Sequence, residues 1–113
     1  MDTKRIDKIN RLIQKDLSEI IREKSKDEFF SVLITVTKVS ITSDLSFARV
    51  YVSIFELKYR KEDILKILQE KKDYLRMLLA QREKSQLRIM PELMFYIDDS
   101  LDYAEKIDKL LKQ

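Results

Sequence analysis

The chain has no cysteine, histidine, tryptophan or glycine, and Pro91 is its single proline. Each absence removes a class of chemistry. Without cysteine and histidine there is no thiol nucleophile, no imidazole base and no ordinary zinc site. Without glycine there is no phosphate-cradling loop of the Walker or dinucleotide-binding kind. Carboxylates, hydroxyls, lysines and tyrosines remain, and any catalysis would have to rest on them. No disulfide framework is available, which fits a reducing compartment. No apolar run approaches the roughly 20 residues that span a bilayer. The opening "MDTKRIDKIN" is charged throughout and unlike a signal peptide. A soluble cytoplasmic protein with no membrane partner is expected.

What is present suits one compact domain over residues 1–113. A chain of this size can bury a modest core. Its 44% hydrophobic content sets it apart from disordered sequences, although 38% of residues are charged. Between residues 4 and 25, Ile6, Ile9, Ile13, Leu17 and Ile20 recur at spacings of three and four, which predicts a helix. "FFSVLITVTKVSI" and "FARVYVSIFEL" are rich in β-branched and aromatic residues, as strands require. The short polar link "TSDLS" makes them an antiparallel hairpin.

Helical periodicity returns from Lys61 to Lys84, with Ile64, Leu68, Leu75 and Leu79 among its apolar positions. That length predicts a break near Lys71 to Asp73. "PELMFYI" reads as a third strand opened by Pro91, since proline is tolerated at a strand's first residue. It should place Leu93 and Phe95 on the core face. "DDSLDYAEKIDKLLKQ" starts with acids and ends with lysine, the order that a closing helix prefers. The expected class is α+β, in the order α-β-β-α(kinked)-β-α.

The net charge of +3 is small, but its distribution is uneven. Lys4, Lys8, Arg11, Lys15 and Arg22 step by four, three, four and seven. At about 100° per residue they share one stripe of the first helix, opposite its isoleucines. A second cluster holds Lys71, Lys72, Arg76, Arg82, Lys84 and Arg88. Two basic segments ahead of an acidic end suggest a face for a polyanion. A surface helix also carries charge for solvation alone, so one stripe does not decide the matter.

Other groups read more simply. Asp98, Asp99 and Asp102 stand where a helix begins and suit capping better than metal binding. Tyr51, Tyr59, Tyr74, Tyr96 and Tyr103 fall at spacings that suit a core or its rim better than a base-stacking set. Glu92 has no second group positioned to assist it as a catalytic acid. No metal, cofactor or small-molecule substrate is expected.

Three segments together resemble a known family. "VTKVSITSDLSFARVYVSI", from Val36 to Ile54, resembles the V-x-V-S-x-D-L-x-x-A-x-V-Y-V-S segment of the ribosome-binding factor A family. "LRIMPELMFYIDDSLDYAEKIDKLL", from Leu87 to Leu111, resembles its L-R-x-x-P-x-L-x-F-x-x-D motif and closing helix. "KRIDKINRLIQKDLSEII" resembles its first helix. The resemblance implies a KH-type domain of the bacterial, type II-like arrangement, with a three-stranded sheet packed with helices. That family lacks the GXXG loop of ordinary KH domains and carries an Ala-x-Gly kink instead. Here Lys71-Lys72-Asp73 stands at the matching place.

The resemblance also implies a function. Members are non-catalytic factors that bind the small ribosomal subunit and support late maturation and processing of its 16S-type rRNA, notably in the cold. The partners expected are therefore the small subunit and its rRNA, bound by a monomer. Lys8, Arg11, Lys15, Arg76 and Arg88 are expected to form the centre of the contact face. The alternative is a protein-interaction module whose basic helix face binds an acidic protein.

Overall fold

The computed structural model describes residues 3–83 and 89–98. The expected closing helix lies outside the described residues, apart from Asp98. The elements are α1 (Thr3–Glu28), β1 (Leu33–Ile41), β2 (Phe47–Phe55), α2 (Lys61–Glu70), α3 (Lys72–Glu83) and β3 (Glu92–Ile97). The strands lie in the order β1-β2-β3, β1 antiparallel to β2 and β2 parallel to β3. A parallel neighbour needs a crossover, and α2 with α3 supplies it.

Apolar periodicity explains which way each element faces. Ile9, Ile13, Leu17, Ile20 and Ile21 of α1 are buried, as are Ile64 and Leu68 of α2 and Leu75 and Leu79 of α3. They meet the inward residues of the sheet: Ala48, Val50, Val52 and Ile54 of β2, and Leu93 and Phe95 of β3. The expected facing of Leu93 and Phe95 therefore holds. Among the described residues, all helices sit on this one face and no element covers the other.

On β1 the alternation changes step. Val36 points inward, and so do Val39 and Ile41, because the register with β2 shifts between Val36 and Lys38. Thr37 is the extra residue of this bulge. Its hydroxyl donates to Asp98 Oδ2 at 2.6 Å. The outer edge of β1 is closed by α1. Asn10 Oδ1 accepts the Ile41 N–H at 2.8 Å, and the Gln14 amide donates to the Val36 and Thr37 carbonyls at 3.2 and 3.3 Å. Polar side chains thus occupy an edge that would otherwise offer free strand-pairing groups.

Two boundaries differ from the periodicity. β1 begins at Leu33 rather than Phe29, because α1 runs on to Glu28 and the chain then reverses. Phe29 plugs the core, while Phe30 and Ser31 take left-handed φ angles of 54° and 59°. The Ser31 N–H donates to the Ser25 carbonyl at 2.9 Å, wrapping the helix end. Glycine would normally occupy such positions. Ser31→Gly is therefore expected to raise stability by about 0.5–1 kcal/mol, the relieved left-handed strain exceeding the added freedom of the unfolded chain. Urea denaturation reads this directly; an unchanged or lower midpoint would contradict it.

The helix break falls at Lys71, as expected, and it forms without a glycine. Lys71 has φ −98° and ψ 10°, which any residue can adopt. Its N–H donates to Ile67 O at 3.0 Å and its carbonyl accepts from Leu75 N at 2.9 Å, so backbone pairing continues through the corner.

The hairpin link is organised by Asp44. Its Oδ1 accepts from Thr42 Oγ1 at 2.8 Å, Ser46 N at 3.1 Å and Ser46 Oγ at 2.5 Å. The Ser46 hydroxyl, then the Ser46 backbone and Thr42, hold this carboxyl down at about 2 from an ordinary 3.8. A depressed carboxylate stabilises the fold above its unfolded value and loses that contribution as pH falls through its folded value. Hairpin stability should therefore be complete above pH 3.8 and decline toward pH 2. In Asp44→Ala that part of the acid transition should vanish, along with some stability at neutral pH. Identical acid titrations of the two proteins would overturn this assignment.

Candidate nucleic-acid interface

The stripe on α1 survives folding as a surface feature. Lys4, Lys8, Arg11, Lys15 and Arg22 are all exposed. They lie opposite Ile13 and Leu17, which are 0% exposed, so the stripe faces away from the sheet. Lys26, four residues past Arg22 and also exposed, extends the line by a turn. Sequence reasoning passed it over, although the same step of four would have found it.

The flanks of the stripe explain why it stays cationic. Toward β1 stand Asn10, Gln14 and Ser18, neutral groups occupied by the strand edge and by the helix backbone, with the exposed acid Asp7 at the amino-terminal end of that flank. Toward α3 stand Glu19 and Glu23, and Arg82 holds both, at 3.1 and 2.6 Å. The Arg82 hydrogen bond lowers the Glu23 carboxyl below its ordinary value, and Glu23 in turn raises the Arg82 guanidinium. One arginine thus screens two acids that would otherwise border the stripe.

The second cluster has a different character. Lys71 pairs with Glu28 at the end of α1. The Arg76 guanidinium donates to the Met90 carbonyl at 2.6 and 3.2 Å and to the Pro91 carbonyl at 3.2 Å. Arg82 is engaged with α1 as above. Only Lys72 among the described members is exposed without a contact of this kind. Lys84 and Arg88 lie outside the described residues. A charge count along one segment cannot see acids and carbonyls arriving from another, and those partners turn Lys71, Arg76 and Arg82 into internal ties.

The remaining candidates also find places. Asp98 Oδ2 accepts from the Thr37 hydroxyl at the bulge, and the helix expected to begin beside it, with Asp99, Asp102 and Tyr103, lies outside the described residues. Tyr51 and Tyr96 stack across β2 and β3 with ring centroids 5.6 Å apart. Tyr59 packs on Phe30 with centroids 5.2 Å apart, at the rim. Tyr74 is half-buried on α3, and Glu92 is exposed at the start of β3. Among the described residues, no group of three acids is close enough to hold a metal ion, and no helix is long and apolar enough to cross a membrane. What the surface offers is a row of cations on a rigid helix, the arrangement that positions a protein on phosphates.

Comparison with known proteins agrees in sequence and in fold. The profile of the family described as Ribosome-binding factor A matches residues 5–111. The ribosome-binding factor A of Flavobacterium johnsoniae is 47% identical over 112 residues, 98% of this chain and 85% of its own length. That of Christiangramia forsetii is 44% identical over the same shares. The crystal structure of ribosome-binding factor A from Thermus thermophilus aligns with a TM-score of 0.69 at 27% identity, covering 81% of this chain and 94% of its own. A homology model of the Thermus thermophilus protein, fitted into a cryo-EM map of its 30S complex, aligns at 0.59 with 27% identity, over 78% and 93%. The mixed sheet with helices on one face is thus the KH-like α+β fold expected, and the chain belongs to the ribosome-binding factor A family.

Proposed function

We propose that this chain is a non-catalytic assembly factor that binds the small ribosomal subunit in the cytoplasm. It acts as a monomeric single domain and supports late maturation and processing of 16S-type rRNA, notably in the cold. The observation that carries this reading is the exposed cation row of α1, in a member of the ribosome-binding factor A family. The Thermus thermophilus relative fitted into a 30S complex supports the choice of partner.

The mechanism is binding without bond-making. Lys8, Arg11 and Lys15 neutralise phosphates along one RNA backbone, with Lys4 and Arg22 extending the contact. The ties made by Lys71, Arg76 and Arg82 hold α1, α3 and the approach to β3 in fixed relation, so the row meets RNA preorganised. Lys84 and Arg88, on the segment between α3 and β3, are further candidate phosphate contacts.

The test is co-sedimentation. The purified protein should travel with small subunits and not with complete ribosomes. Binding to naked rRNA should fall steeply with salt, as phosphate contacts require. Equal affinity for both particles would overturn the assembly reading. A salt-insensitive interaction would favour an acidic protein as the partner of the stripe.

A further inference from the structure

The face of the sheet that no described element covers carries a row of side chains that the cation stripe does not account for. Lys38, Tyr51 and Tyr96 are register partners across β1, β2 and β3, and they form one ladder on that face. Lys38 Nζ lies 5.9 Å from the centroid of the Tyr51 ring, within the range of a cation–π contact. Tyr51 then stacks on Tyr96 at 5.6 Å, with 29° between the planes. The order of the stack is cation, ring, ring, and it ends at β3, beyond which no described strand lies.

Two features mark that end as unfinished. Tyr96 is 38% exposed, whereas Tyr51, the inner ring of the row, is half-buried. Beside Tyr96 lies a hollow of about 340 Å³, which it and Met94 share with Gln69 and Lys72 at the α2–α3 corner and with Glu92. A further flat π system placed there would continue the stack, with the Lys72 ammonium at hand for a phosphate. Arg49 stands on the same face, two residues before Tyr51 along β2, so two cations border the rings.

We infer that the Lys38–Tyr51–Tyr96 ladder is a stacking platform for an unpaired RNA base, which sits on the outer face of Tyr96. The site is distinct from the α1 stripe, which faces away from the sheet. One side of the domain grips phosphates by charge, and the other holds a base by its π face. The domain can then bridge two RNA elements. Stacking of this kind is tolerant of sequence and less dependent on salt than phosphate contact. The inference rests on the ribosomal reading only for the class of polymer.

The test uses the full chain and a short unpaired RNA carrying 2-aminopurine, whose fluorescence is quenched when it stacks. The protein should quench it, with the quench largely retained at raised salt. Tyr96→Phe, which keeps the ring, should bind within about twofold of the parent. Tyr96→Leu, which keeps an apolar strand residue, should weaken binding by roughly 5- to 150-fold. Thermal melts establish that both variants fold.

Absence of quenching by the parent, or equal binding by Tyr96→Leu, overturns the platform. Either result leaves small-subunit sedimentation to be judged separately.

Discussion

Reversing Arg11 and Lys15 to glutamate should weaken association with small subunits by about tenfold or more while leaving the melting temperature unchanged. Both side chains are exposed at the centre of the α1 row. Arg11 has one long contact to the Asp7 carbonyl at 3.4 Å, which contributes little to stability. Each reversal withdraws a cation from a phosphate and adds repulsion. The slope of log affinity against log salt should fall by roughly two, because two fewer phosphates are neutralised. Undiminished co-sedimentation of this variant would remove the stripe from the interface.

Arg76→Ala should do the opposite: cost about 2–3 kcal/mol of stability and leave the affinity of the folded protein for RNA nearly unchanged. The guanidinium joins α3 to the turn before β3 through the Met90 and Pro91 carbonyls, and truncation deprives both acceptors of their donor. Arg76→Lys should recover only part of the loss, since one ammonium cannot span two carbonyls as a planar fork does. Urea denaturation measures the first effect and co-sedimentation the second. A variant that melts normally yet fails to bind would return Arg76 to the contact surface.

The fold was largely legible because its signals are local. Isoleucines at helical spacing, two β-branched runs around "TSDLS" and a proline before "ELMFYI" each report on their own neighbourhood. The start of β1 was less so, since Phe29–Ser31 reads as strand by composition and is turned by left-handed angles that no residue type there announces. The site divides in the same way. The α1 stripe lies on one element, and its facing follows from the helix period. The fates of Lys71, Arg76 and Arg82 depend on Glu28, Met90, Pro91, Glu19 and Glu23, which approach from other elements. The tyrosine ladder needed strand register, and the bulge at Thr37 sets that register: without it, Lys38 would not face Tyr51.

The parallel pairing of β3 with β2 has a consequence for how the chain is made. The hairpin closes over a few residues, and α1 packs on β1 just ahead of it, so this half can assemble as soon as it is synthesised. β3 is separated from its partner strand by both crossover helices. Until it emerges, β2 is a strand edge without a neighbour, and such an edge invites mispairing with other chains. Once the last strand has emerged, Arg76 on α3 fixes its approach through the carbonyls of Met90 and Pro91.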